Sequence, residues 1–307
     1  MALRTSVAGA SVAVLLVSAG CIDIVGSDFN KYVEREEKRF STTGTPDIML
    51  STFDGSIEIR AWEKPEVEVI IEKRAASKDA AAAIEIHTEQ DGNRVTVDVK
   101  TEKGTSFGIH FNNSRSAKLI VSAPARSNIV AKSGDGSIDV TRISGRLELR
   151  SGDGSIHGRD LGGDVRAHTG DGSITLEGVS GKLDVDTGDG SVRASGTLTS
   201  VRARSGDGSI TVRANAGSTA DSDWDIVTGD GSVTLKLPDG FSGQLDAHTG
   251  DGGIRMHDIT VSNVSGTIGR NTVRGRLGAG GHNVRVRTGD GSITLRKALS
   301  AEATPTT

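Results

Sequence analysis

The hexapeptide Ser133-Gly134-Asp135-Gly136-Ser137-Ile138 returns through the chain with little change, its aspartates falling at 135, 153, 171, 189, 207, 230, 251 and 290. The first four steps are 18 residues each, followed by 23, 21 and 39. A fixed period near 20 residues marks a unit that cannot bury its apolar face alone and is stable only when stacked on its neighbours. The last gap has the length of an 18- and a 21-residue step together, which predicts an eroded copy at Gly269-Arg270-Asn271-Thr272-Val273. Asn271 would stand in for Gly there, because Asn tolerates positive φ. Asp54-Gly55-Ser56-Ile57 is an isolated early copy, and Asp91-Gly92-Asn93 reads as another turn.

Between the turns, residues alternate. Leu147, Leu149 and Ser151 share one face while Arg146, Glu148 and Arg150 share the other, the period-2 pattern of half-buried strands. After each turn the inward parity changes, from odd 147, 149 and 151 to even 156, so the Gly-Asp-Gly-Ser segment must contain a bend. Gly is expected to supply the backbone angles, and Asp to close an Asx-type turn. Second breaks near Ser144-Gly145, Gly162-Gly163, Ser180-Gly181 and Ser195-Gly196 give two short strands per unit. Aromatic residues make up only 3% of the chain and Gly numbers 41, so a thin core of Val, Ile, Leu and Ala is expected. These features predict an all-β, single-domain β-solenoid, most simply a right-handed parallel β-helix with about 18 to 23 residues per coil. A left-handed hexapeptide helix is excluded, because Ile138 is followed at six and twelve residues by Ser144 and Arg150.

Residues 1–20 read as a lipoprotein-type signal peptide: Arg4 precedes an apolar run from Val7 to Val17, which ends in Val17-Ser18-Ala19-Gly20-Cys21. Cys21, the only cysteine, is the expected lipid attachment site and rules out an internal disulfide. Residues 21–46 are expected to form the lipid anchor and a charged tether. Residues 47–132 should form divergent N-terminal strands and a cap with one short helix over Ser77 to Ala83. Residues 133–297 are then the regular repeat, and 298–307 a disordered tail. With 36 basic and 40 acidic residues the net charge is −4, which argues against nucleic acid or another polyanion as partner.

The repeated Thr/Ser-Gly-Asp-Gly-Ser-Ile/Val turns resemble those of the putative adhesin domain family of bacterial envelope proteins. So do Lys38-Arg39-Phe40, Phe53-Asp54-Gly55-Ser56-Ile57-Glu58-Ile59, Trp62 and Glu66-Val67-Glu68-Val69. The resemblance covers roughly residues 38–297. It implies an extracytoplasmic, surface-exposed domain with an adhesive or binding role and carries no catalytic residues with it.

Other chemistries fit the residues less well. The nonapeptide calcium roll needs an Asp turn every nine residues, whereas one appears here per 18. Asp221-Ser222-Asp223-Trp224-Asp225 opens like an EF-hand loop, but Ile226 and Ser232 occupy its Gly and Glu positions. His157, His168, His248 and His257 flank turns in too few coils to form a metal row. A polysaccharide-acting β-helix enzyme would need clustered carboxylates walled by long loops. Only Asp258 to His282, with Arg270, Arg274 and Arg276, interrupts the repeat enough to hold such a site. The chain is therefore read as non-enzymatic, with no cofactor and no metal, a lipid-anchored surface module of the cell envelope that binds an envelope or cell-surface protein or polysaccharide. An accessory role in envelope stress or regulation is the alternative for the same fold.

Overall fold

A computed structural model describes residues 32–101, 115–262 and 269–298. The chain is all-β, and the one helix among the described residues, Lys78–Ala82, is capped by Ser77, whose hydroxyl accepts from the Ala80 amide. Cys21, the signal segment 1–20 and residues 299–307 of the expected tail lie outside the described residues.

Each Gly-Asp-Gly-Ser turn joins a strand of one array, here sheet I, to a strand of a second array, sheet II. Asn128–Ser133, Ser144–Ser151 and Gly162–Thr169 lie side by side in sheet I, in parallel register, with Ile129, Leu147 and Val165 opposite one another. Ile138–Thr141, Ile156–Arg159 and the start of Ile174–Thr187 do the same in sheet II. Ile174–Thr187 and Val192–Ser205 run through the second corner and belong to both arrays, making the hydrogen-bonded network continuous. The two inner faces enclose the core. Large and small residues alternate across one of its files, Leu50-Ala131-Leu149-Ala167-Val185-Ala203, so that side chains of neighbouring coils interdigitate.

The turn works differently from the sequence expectation. Of the glycines flanking Asp54 and the aspartates of the Gly-Asp-Gly copies, only Gly55 has φ in the left-handed region. The others are required by proximity. A Cβ on Gly170, Gly188 or Gly206 would stand 2.6–2.7 Å from the carbonyl oxygen of the equivalent glycine one coil away, and one on Gly154 or Gly172 would lie closer still. These glycines also donate along the column, Gly170 N to Gly152 O at 2.5 Å and Gly188 N to Gly170 O at 2.6 Å. Nor does Asp close the turn. The buried hydroxyl before it does, as when Ser205 Oγ accepts from the Gly208 amide at 2.9 Å and donates to Gly190 O of the adjacent coil at 2.9 Å. Ser133, Ser151, Thr169, Thr187, Thr228, Thr249 and Thr288 donate to glycine carbonyls in the same way, over 2.6–2.9 Å. The turn aspartates 135 to 290 are exposed. The second corner does use positive φ, at Gly145, Gly163, Gly181 and Gly196, with Arg142 and Asp160 also left-handed just before it.

At both ends the coils do not stack in chain order. The coil Asp47–Thr52 with Ile57–Trp62 lies between Asn128–Ser133 with Ile138–Thr141 on one side and Arg94–Thr101 with Ser116–Pro124 on the other. At the far end the last coil, Asn283–Thr288 with Ile293–Lys297, is inserted between Trp224–Thr228 with Val233–Leu237 and Gly243–Thr249 with Ile254–His257. The predicted eroded copy is not a coil. Thr272–Leu277 runs antiparallel to Gly243–Thr249 and caps the end of sheet I.

The charged segment expected as tether is, from Tyr32 on, a ten-residue strand antiparallel to Glu66–Ala75. Lys73 holds it, its ammonium 3.6 Å from Glu34 and 3.2 Å from Glu36. Its charge suits it to an edge, where an apolar strand would template pairing with another chain. Ile84–Asp91, with Glu85, His87, Glu89 and Asp91 outward, protects the N-terminal edge of sheet I likewise and turns into Arg94–Thr101 through Asp91-Gly92-Asn93, as the sequence suggests.

Two substitutions separate the contributions. Ser205→Ala removes two buried hydrogen bonds and should cost about 2 kcal/mol, and Gly172→Ala, which forces two coils apart, about 3 kcal/mol. Denaturant midpoints should fall in that order, while Thr175→Ala, on the outer face of sheet II, stays near wild type.

Candidate binding faces

Because strands alternate, every second side chain lies on an outer face, and the parallel register arranges these side chains in files running across the strands. The central file of sheet I is Glu148-Arg166-Asp184-Arg202-Asp225-Arg285-Asp246-Arg274. Its charge changes sign at every step, so each residue from Arg166 to Asp246 lies between opposite charges, the arrangement that stabilises cross-strand pairs.

The file from Arg166 to Asp246 lines a shallow trough of about 760 Å³, whose C-terminal part is bounded by Arg202, Asp223, Asp225, Asp246, Asn283 and Arg285. Asp225 accepts from Arg285 Nε at 2.7 Å and Arg204 Nη2 at 2.9 Å. Asp246 accepts from Arg274 Nε at 3.0 Å and from Arg287 Nη2. Burial pushes both carboxyls up, but the hydrogen bonds and charges of their two guanidinium partners outweigh it, and both lie below the ordinary carboxylate range. Asp223 is also lowered, chiefly by the Asn283 backbone amide and side chain. These acids are held ionised and saturated with donors, which suits neither a general acid nor a nucleophile. Beneath the trough, Trp224 is fully buried and meets the Phe241 ring edge-on, with centroids 5.1 Å apart.

The other candidates disperse. Asp221 to Asp225 do not converge as an EF-hand does, since Asp223 and Asp225 are engaged by Asn283 and by arginines. His168 Nδ1 meets Asp186 at 3.0 Å and His248 Nδ1 meets Thr272 at 2.9 Å; the two share a file but are separated in it by Asp186, Arg204, Val227 and Arg287. His157 and His257 belong to different files of sheet II. Among the described residues no group of three or more His, Cys, Asp or Glu is placed to hold a metal ion. Arg274 is drawn onto Asp246, and Arg276 lies on the cap strand. The charge ladder itself was missed from the sequence; its signal, the sign of the residue three before each buried Ser or Thr, alternates in chain order from Glu148 to Asp225, and only its last steps, through Arg285 and Asp246, need the order of coils.

The match to known families covers the two-sheet stack except its edge strand Tyr32–Ser41. The Toastrack (DUF4097) family model aligns with residues 46–296. The chain belongs to the Toastrack family. Solved structures similar to this Toastrack chain include a putative adhesin from Bacteroides fragilis, 13% identical, with a TM-score of 0.48 over 86% of this chain and 97% of that one. Another is a putative lipid binding protein from Parabacteroides distasonis, 12% identical, with a TM-score of 0.36 over 89% and 98%. No curated protein was found to match the chain.

Two pH dependences follow. A carboxyl lowered by its partners adds stability that is complete above the ordinary value of about 4 and is lost as the pH falls through the still lower folded value. Asp225→Asn should therefore destabilise the domain by about 2 kcal/mol at pH 7, with the gap to wild type closing under acid in pH-resolved thermal melts. Asp54 is opposite in sign, raised by burial and then by the neighbouring Asp135. Asp54→Asn should melt higher than wild type at neutral pH and lose that advantage below about pH 4.

Proposed function

We propose that this Toastrack domain is a non-enzymatic binding module of the bacterial cell envelope, tethered by lipid on Cys21 after removal of residues 1–20. Its coils are taken to wind right-handedly, as parallel crossovers within one sheet do. The supporting observation is the state of the acids in the sheet I trough, where Asp225 and Asp246 are each clamped by two arginines. The domain thus presents long, flat, polar faces rather than a cleft with reactive groups. Such a surface suits recognition of an extended or repetitive partner over many strands, an envelope protein or polysaccharide. Among the described residues no helix is long and apolar enough to cross a membrane.

Fractionation of cells expressing the chain tests the anchor. Wild type should partition with membranes and Cys21→Ala should shift to the soluble extracytoplasmic fraction; an unchanged membrane fraction in the variant would contradict the anchor. Cross-linking capture on intact cells tests the binding role.

A further inference from the structure

The outer face of sheet II departs from the charge pattern of sheet I. In its C-terminal half one file reads Arg213-Lys236-Arg296-His257, with adjacent members in parallel register across Ile210–Ala214, Val233–Leu237, Ile293–Lys297 and Ile254–His257. No acid interrupts it. Beside it runs Arg193-Thr211-Thr234-Thr294-Arg255. Among the described residues, no carboxylate lies within ion-pair distance of Lys236, Arg296, Arg193 or Arg255, the last three being exposed; the nearby Asp239 is taken by Lys297 at 2.8 Å.

Like charges directly opposite one another, about 4.8 Å apart, destabilise a sheet. On sheet I the same chain alternates sign over eight strands. The overall charge of −4, which argued against an anionic partner, averages over faces that the fold separates. The like-charged neighbours Lys236 and Arg296, flanked by Arg193 and Arg255 on the same face, are the feature expected where an external anion supplies counter-charge.

We propose that this double file is a binding track for an acidic polysaccharide, the cationic file pairing with its carboxylates and the threonine file hydrogen-bonding its hydroxyls. The inference rests on the reading of the domain as a binding module and names its ligand class. The neighbouring threonines favour a sugar chain. Single-stranded nucleic acid would call for Phe, Tyr or Trp platforms beside the cations, and a membrane surface for apolar side chains that insert; neither occurs in these two files.

The full-length chain, carried in phosphatidylcholine vesicles, should retain polygalacturonate at low ionic strength, release it as salt rises, and ignore neutral dextran. The variant K236Q/R296Q should bind at least about tenfold more weakly with a flatter salt dependence, yet melt at the wild-type temperature or higher, because a repulsion has been relieved. R166Q/D184N, which removes one pair from the alternating file of sheet I, should bind as wild type does. The proposal is overturned if wild type retains no polygalacturonate, if K236Q/R296Q binds undiminished, or if phosphatidylglycerol vesicles displace the polysaccharide completely. Loss of polygalacturonate binding alone, with cell-surface capture intact, removes only the ligand class; loss of both removes the binding reading too.

Discussion

The structure depends on how closely its backbone packs at one corner. Where Gly170 follows Gly152 and Gly188 follows Gly170, successive coils approach until amide and carbonyl meet at 2.5–2.6 Å and no Cβ fits between them. At Ser133, Ser151, Ser205, Thr249 and Thr288 the hydroxyl preceding the pair of glycines bonds within its own turn and to the adjacent coil, so the turn and the stack are fixed by the same atom. Side chains are thereby aligned in files, and every property of the outer faces descends from that register.

The repeat period, the reversal of parity across the turn and the second break at Gly145, Gly163 and Gly181 are local patterns, and each could be read from residues alone. The role of Asp could not. Ser205 and Asp207 are both able to close such a turn, and only their burial shows that the hydroxyl faces inward and the carboxylate faces water. Coil order was equally hidden. Because the turns are nearly identical, Thr228 and Thr249 would stack as well on one another as each does on Thr288; nothing in the motif says that the last coil lies between them. The segment Tyr32–Ser41 misled for a related reason, since a charged edge strand and a charged tether have the same composition.

Two faces of one stack carry opposite electrostatic designs. Sheet I neutralises itself step by step and sets Asp225 and Asp246 between arginines, which contributes to stability and keeps both carboxyls ionised. Sheet II collects Arg213, Lys236 and Arg296 without intervening acids, and keeps one of its strands, Ile293–Lys297, inside the stack. The inserted coil thus brings Arg296 next to Lys236. In simple chain order His257 would stand there instead, and the file would carry one fewer permanent charge at its centre.

Coil order is therefore the hinge of both the fold and the function assigned to it, and pairwise cysteine cross-linking tests it directly. In a Cys21→Ser background, Thr234→Cys with Thr294→Cys should form a disulfide readily, as the two positions are in register on adjacent strands about 4.8 Å apart. Thr234→Cys with Arg255→Cys should not, since the inserted strand separates them by about 10 Å. Efficient closure of the second pair and failure of the first would show that the coils stack in chain order, contradicting the account.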